Sequence, residues 1–406
     1  MTSAVYIAKN VYGGDGLGRL GDGRVVFVPG AWAGEQVKAE IVEEKRHFVK
    51  ARLVEVVEAS SDRLAAADVG ETVPGMVYAT LSYAAERRAK EAQLREFFDR
   101  ARIAFPDAAT LAAGPADAPF NYRNKVVYHF ARQRGKWAIG YRLEPSHEIV
   151  DVERDPLAVG AINAELPAIR RAVLSLLTTG PESVRRATAA KENLTVRWSE
   201  RTGVKWWLGK APEDLVIKET TCGRVFEVPA GGFYQMNPRC GEALVKRVTE
   251  LVNARKGAAG RRILDLYCGV GVFGLVALGG DPSAQLTGVE SGRQAIDFAR
   301  RNAAAQGAAS VKFFSEEVGR NLRRIPVGES TTVIVDPPRD GLERGVAEWL
   351  AASKAPQIVY VSCDPATLTR DLRVLARSYD VTRLEWFDMF PRTARFETLA
   401  ALTRKA

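Results

Sequence analysis

The chain has 406 residues, 46% of them hydrophobic and 26% charged, which suits two or three domains of an ordinary globular protein. No apolar run approaches the roughly 18 residues of a membrane span, and the opening Met-Thr-Ser-Ala-Val-Tyr-Ile-Ala-Lys lacks the apolar core of a secretion signal. The net charge of +9 is compatible with a polyanionic partner and proves none. Four cysteines (Cys222, Cys240, Cys268, Cys363) lie far apart beside only three histidines, a pattern that argues against a disulfide framework or zinc site and fits a reducing cytoplasm.

Residues 1–60 read as β structure. Short runs (Ala4–Lys9, Val25–Pro29, Gln36–Glu43, Phe48–Ala59) are separated by Gly13-Gly14-Asp15-Gly16, Gly21-Asp22-Gly23 and Pro29-Gly30, which are turn sequences. Such spacing suggests a small barrel of the OB type, whose face commonly binds nucleic acid. Its charge is balanced, with 8 Lys/Arg against 8 Asp/Glu, so a purely structural barrel stands as the alternative.

Ser60-Ser61-Asp62-Arg63 opens a second region, 61–215, expected to be an α+β RNA-binding domain. Ala85, Ala89, Ala92, Leu94 and Phe98 fall near helical spacing, predicting a helix from Ser82 to about Arg102; this stretch, to about 110, is expected to pack on the catalytic domain. Phe120–Leu143 then carries six Lys/Arg, six aromatics and no acid. Val126–Ala131 and Trp137–Tyr141 flank Arg134-Gly135-Lys136 as a hairpin. Cations that meet phosphates, interleaved with rings that stack on bases, suit unpaired RNA; the alternative is an edge hairpin with a solvated basic rim. The candidate RNA contacts are Arg123, Lys125, Arg132 and Arg134. Patterns at Ile162–Leu177, Leu194–Ser199 and Lys205–Leu208 add a helix and strands without chemistry.

Residues 216–406 read as repeated βαβ units. Arg262–Leu266 is a strand, and Tyr267-Cys268-Gly269-Val270-Gly271-Val272-Phe273-Gly274 opens a helix. The next strand, Leu286–Val289, ends in Glu290. This resembles the fingerprint in which a carboxylate takes ribose hydroxyls, and the glycines alone do not separate NAD from S-adenosylmethionine. Asp265 before the loop, and Asp336-Pro337-Pro338-Arg339 after a later apolar strand, favour S-adenosylmethionine. A further strand ends in Ser362-Cys363-Asp364-Pro365. Chemistry in open α/β sheets sits at the carboxyl ends of strands, so Asp336 and Cys363 are expected in one cleft, with the helix N-terminus after Cys363 favouring a thiolate.

With these residues in hand, the chain resembles the RNA uracil-5-methyltransferases, the 5-methyluridine family of tRNA and rRNA, along nearly its whole length. Asp336-Pro337-Pro338-Arg339-Asp340-Gly341 and Ile358-Val359-Tyr360-Val361-Ser362-Cys363-Asp364 match its signature, Phe233-Tyr234-Gln235-Met236-Asn237 resembles its F-x-Q-x-N element, and Tyr122-Arg123-Asn124-Lys125 recurs in its central domain. The first 60 residues look like the TRAM barrel of many members. The resemblance implies an α/β fold of three parts: an N-terminal TRAM-like barrel (1–60) that binds RNA, a central α+β domain (61–215), and a C-terminal Rossmann-like class I methyltransferase domain (216–406). It also implies that Gln235, Tyr267, Glu290 and Asp336 line the S-adenosylmethionine site, with Gly269 and Gly271 allowing close approach, and that Arg339 joins the RNA contacts.

The implied reaction is methylation of uridine C5 in tRNA or rRNA. Uracil C5 is a poor nucleophile; a thiolate added at C6 gives it carbanion character, and a base must then remove the C5 proton. Cys363 is the expected nucleophile and Glu397 the expected base, acting on a loop or flipped nucleotide. Two features depart from the family. Arg395-Phe396-Glu397 stands where His-Val-Glu is usual, and Arg63–Tyr83 lacks the cysteines that bind a 4Fe–4S cluster in many TRAM-bearing relatives, so no metal or iron–sulfur cluster is expected. No membrane and no obligate protein partner is expected either. The competing readings are an N-directed nucleobase methyltransferase, against which Arg339 and Cys363 both speak, and an RNA-binding or assembly protein with a vestigial methyltransferase fold.

Overall fold

The computed structural model describes residues 2–106, 110–113, 119–143, 146–254, 260–320 and 325–405. Two compact units account for the chain: Met1–Glu96 with Phe390–Arg395, and Phe97–Met389 with Phe396–Ala406.

In the first unit, β1 (Thr2–Asn10), β2 (Gly16–Arg19), β3 (Val25–Val28), β4 (Gln36–Glu44) and β5 (Phe48–Glu58) close into a barrel of order β1-β2-β3-β5-β4. Val5, Ile7, Val26, Val28, Val37, Ala39, Val49 and Ala51 form its core, alternating with outward residues as a pleated strand requires. β2, Gly-Leu-Gly-Arg, carries no alternation or β-branched residue that marks a strand. A Cβ on Gly18 would lie 2.5 Å from the Tyr6 carbonyl oxygen, so the glycine serves close chain approach rather than a turn. The expected 82–102 helix is α1 (Tyr83–Ala101); residues 107–109 of the longer stretch fall outside the described residues. On α1, buried Glu86 and Lys90 pair at 2.8 Å, and Glu86 Oε1 accepts the Arg392 backbone N–H at 2.7 Å. This charge set fastens Phe390–Arg395 into its unit, and truncating one member would strand a buried charge.

The second unit holds two main sheets. β6 (Thr110–Ala113) belongs to the larger. β7 (Lys125–Gln133), β8 (Lys136–Arg142), β9 (Ile149–Asp151), β10 (Asn193–Ser199) and β11 (Gly203–Leu208) form an antiparallel sheet of order β11-β10-β7-β8-β9. Gln133 pairs with Lys136, and Arg134 and Gly135 between them have φ of +47° and +82°, a two-residue turn matched to strand twist. Helices α2 (Gly160–Thr178) and α3 (Glu182–Ala189) join β9 to β10, and β12 (Val216–Thr221) and β13 (Arg224–Pro229) make a separate hairpin.

The larger sheet is doubly wound. After α4 (Pro238–Asn253) come β14 (Arg262–Leu266), α5 (Val272–Leu278), β15 (Gln285–Glu290), α6 (Arg293–Ala305), β16 (Val311–Ser315), β17 (Thr331–Val335), α7 (Val346–Ala352), β18 (Gln357–Ser362), α8 (Pro365–Leu375), β19 (Tyr379–Phe387) and β20 (Glu397–Arg404). Its order is β16-β15-β14-β17-β18-β20-β19-β6. β14 to β18 run parallel, and β20 inserts antiparallel between β18 and β19. The central strands are buried throughout, Val333–Val335 and Ile358–Val361 among them, as strands covered on both faces must be. No helix among the described residues is long and apolar enough to cross a membrane.

Candidate active site

The register brings the expected residues to one edge of the sheet. Leu266 lies beside Val289 and Val335, and Val335 beside Tyr360. One residue further on, Tyr267, Glu290 and Asp336 leave the carboxyl ends of β14, β15 and β17, where the order reverses around β14. The Asp336 backbone N–H still donates to the Leu266 carbonyl at 3.3 Å.

Gln235, Tyr267, Gly269 and Asp336 line one cavity, together with Cys268 and Phe273. Tyr267 adopts φ +63°, a costly conformation for a side chain of this size, and its hydroxyl accepts the Glu343 N–H at 3.3 Å. Gly269 and Gly271 have φ of +53° and +86°, and Gly271 caps α5 without a side chain. Gly271 and Glu290 stand behind this wall rather than on it: Glu290 accepts the Gly292 N–H at 2.7 Å and the Gly269 N–H at 3.4 Å. Asp265, the last residue but one of β14, accepts the Gly274 N–H at 2.8 Å through Oδ2 while its buried Oδ1 has no partner among the described residues. Burial and then the neighbouring Asp336 and Glu290 push the Asp265 carboxyl up to about 7, and burial with Glu290 does the same to Asp336. Among the described residues no Lys or Arg pairs with these three carboxylates, a setting that favours a positively charged ligand.

Cys363 and Glu397 meet across the ladder. Ser362 pairs antiparallel with Thr398, so the next pair in that register is Cys363 with Glu397. Glu397 is buried and pairs on its other side with Phe387; Cys363 is half-buried. Burial, then Glu397 and Asp336, push the Cys363 thiol up to about 12, with Arg339 pulling the other way. The expected help from the α8 N-terminus is absent. Asp364 caps that helix, accepting the Ala366 and Thr367 N–H groups at 2.9 and 3.3 Å, and it adds negative charge beside the thiol. Cys268 is fully buried and held well above the usual thiol range by burial, Asp265 and Glu290, which leaves Cys363 as the accessible thiol of the two.

Exposed Arg339 follows Pro337-Pro338 in a loop held by α8. Its carbonyl accepts the Thr367 hydroxyl at 3.2 Å, and Arg370 donates to the Asp340 carbonyl at 2.9 Å. The remaining expected cations are dispersed. Arg132 and Arg134 ride the β7–β8 turn, Arg134 facing Glu148 at 3.7 Å. Arg123 packs over Tyr122 at 5.9 Å; burial opposes its charge, but Tyr122, Tyr141 and Asp155 hold it firmly protonated. Lys125 is half-buried and lines a different cleft. Among the described residues, no group of three or more His, Cys, Asp or Glu could hold a metal.

Residues 212–405 match the family described as tRNA (Uracil-5-)-methyltransferase, and 5–54 match the TRAM domain. An uncharacterized RNA methyltransferase of Streptomyces avermitilis is 31% identical, the match covering 98% of this chain and 97% of that one. Another, of Gloeobacter violaceus, is 30% identical over 99% and 96%. The chain belongs to the RNA (uracil-5-)-methyltransferase family. The fold agrees: the tRNA (uracil-54, C5)-methyltransferase of Pyrococcus abyssi, solved with S-adenosyl-L-homocysteine, superposes with a TM-score of 0.73 at 23% identity, covering 98% of this chain and all of that one. The protein is thus an S-adenosylmethionine-dependent RNA methyltransferase, with a class I methyltransferase fold and an N-terminal TRAM barrel.

The cavity fits that cofactor. The Asp336 carboxyl on its wall, with buried Asp265 and Glu290 adding negative charge behind it, suits a sulfonium cation, and the glycines leave the loop open to close approach. Asp265 was noted in the sequence only as a companion of the glycine loop. Its place as last acid of the first βαβ strand is the signal that marks it. Phe233, the first residue of the F-x-Q-x-N element, lines the same cavity and is 71% exposed.

Proposed function

We propose that this methyltransferase acts on C5 of a uridine in tRNA or rRNA through a covalent bond between Cys363 and C6. The observation that carries the reading is the Cys363–Glu397 register, with Asp336 alongside. The thiol rests protonated, so its proton passes to solvent water as the S–C6 bond forms and the C5–C6 π pair moves onto C5 and the C4 carbonyl. S-adenosylmethionine would supply an electrophilic methyl group when bound, held by Gln235, Tyr267, Gly269 and Asp336, with Gly271 and Glu290 shaping the loop behind them. C5, made electron-rich by addition at C6, takes that methyl. Glu397, itself raised by burial and Asp336, must be deprotonated before it removes the C5 proton; loss of that proton expels the Cys363 thiolate and restores the aromatic ring. Arg339 favours the charged forms of both residues. Substrate binding by Arg123, Lys125, Arg132, Arg134 and Arg339, by the barrel of 1–60 and by the domain of 61–215, around a catalytic domain of 216–406, belongs to the same proposal. So does a cytoplasmic setting, in keeping with four free cysteines.

RNA carrying tritium at uridine C5 provides the test. Methylation by this route releases tritium to water in step with 5-methyluridine formation, and Cys363→Ala stops both. Methyl transfer that leaves the C5 tritium in place would reject the reading.

A further inference from the structure

A second cleft of the same unit is not used by the chemistry above. Lys125, Val127, Thr195 and Trp207 of the β7–β10–β11 sheet form one wall, and Arg293 and Gln294 in the first turn of α6 form the other. Its charge is uneven. Lys125 stands directly opposite Arg197 on β10, which stands opposite Lys205 on β11, and like charges so placed repel. Arg197 has its own counter-ion: it pairs with Glu219 at 3.0 Å and donates to the Ala230 and Gly232 carbonyls at 3.1 and 3.2 Å. Lys125 has no carboxylate partner among the described residues, and burial, then Arg197, push its amine down to about 8. The acids of the cleft are engaged elsewhere, Glu213 with Lys210 at 2.8 Å and Asp297 with Arg300 at 3.3 Å. Arg293, exposed at the start of α6, has no carboxylate within ion-pair distance among the described residues. A half-buried, unpaired cation beside a second cation is costly unless an anion joins it.

The cleft also adjoins the active site. Gly231 lies on its lip, while Phe233, Tyr234 and Gln235 line the cofactor cavity; two residues of chain span roughly 7 Å at most. Asp336 lines that cavity and also acts on the Cys363 thiol, so a strand whose base reaches Cys363 runs on the side of the unit where the cleft opens. We propose that this cleft is a phosphodiester-binding site for the substrate RNA, in which Lys125 and Arg293 meet the backbone beside the target nucleotide. The proposal rests on the RNA-methyltransferase reading for its ligand and does not depend on the covalent mechanism.

A fluorescein-labelled 12-nucleotide oligouridylate, titrated by anisotropy at several KCl concentrations, tests it. Lys125→Ala and Arg293→Ala should each weaken binding several-fold and reduce the slope of log K against log salt by roughly 0.7, the value for one single-strand phosphate contact. Lys125→Arg should restore the slope. Arg293 is exposed, so its variant keeps the test valid should Lys125→Ala fail to fold. Unchanged slopes in folded Lys125→Ala and Arg293→Ala would overturn the proposal. Tritium release by the wild-type enzyme is read separately, so failure of the covalent mechanism leaves this result interpretable.

Discussion

Cys363 and Glu397 are the two residues next in register beyond the Ser362–Thr398 pair that ends the β18–β20 ladder, and Glu397 is among the groups acting on the Cys363 thiol. Directly opposed residues of antiparallel strands have Cβ atoms about 5 Å apart, close enough for a thiol and a carboxyl to work on two adjacent ring carbons. Glu397 helps to push the Cys363 thiol up, burial and Asp336 push the Glu397 carboxyl up, and Arg339 opposes both shifts.

Replacing Cys363 by Ala should lower methyl transfer by at least about a thousandfold, as expected for a lost covalent nucleophile. Binding of S-adenosylmethionine, measured by calorimetry, should stay within about twofold because no atom of Cys363 lines the cofactor cavity. Residual activity of a few per cent would argue for direct attack by C5.

Glu397→Gln should transfer one methyl per enzyme in a single burst and then stall, since addition and methylation precede the step it performs. Quenched-flow counting of labelled methyl checks this. Steady turnover at the wild-type rate would assign the base elsewhere.

Cofactor affinity should fall in acid. Asp265 and Asp336, both pushed up to about 7, lose their charge below that pH, and the cavity loses the negative field that favours a sulfonium. Between pH 8 and 5.5 the Kd for S-adenosylmethionine should rise by up to about tenfold per unit and per carboxyl, whereas that for uncharged-sulfur S-adenosylhomocysteine should change less. The linkage with folding has the opposite sense. The folded pKa values lie above the unfolded ones, so this stability is fully present below about pH 4 and is lost as pH rises through about 7. The melting point of the ligand-free protein should fall over that window, and added S-adenosylmethionine should recover most at its upper end. Parallel pH curves for the two ligands would remove the carboxylates from sulfonium recognition.

Arg123 and Arg134 should separate stability from binding. Arg123→Ala strips a cation packed among Tyr122, Tyr141 and Asp155 and should lower the melting temperature by several degrees, in line with about 1–3 kcal/mol for a broken buried network. Arg134→Glu at an exposed turn should leave melting almost unchanged and flatten the salt dependence of RNA binding by roughly 0.7–0.9 per lost contact. Equal melting losses would mean that the turn is packed.

Much of this was legible in the sequence because strand ends announce themselves. Asp336-Pro337-Pro338 and Ser362-Cys363 terminate β-branched runs, and the glycine loop sits between a strand and a helix. The Arg134-Gly135 turn was readable for the same reason: few residues accept positive φ. What stayed hidden depends on contacts distant in sequence. β2 looks like a loop until Tyr6 is seen beside Gly18, and nothing in Thr110–Ala113 foretells its pairing with β19. The α8 N-terminus was expected to favour a thiolate, but Asp364 takes its N–H groups, a competition that only geometry decides. The Lys125 cleft likewise needs β7, β10 and α6 brought together.

The central claim is the Cys363–C6 bond, and mass spectrometry of the stalled Glu397→Gln enzyme addresses it most directly. After incubation with RNA and S-adenosylmethionine, nuclease and trypsin digestion should yield the peptide 355–370 carrying a methylated uridine nucleotide on Cys363. An unmodified 355–370 peptide from enzyme that has transferred its methyl group would contradict the account.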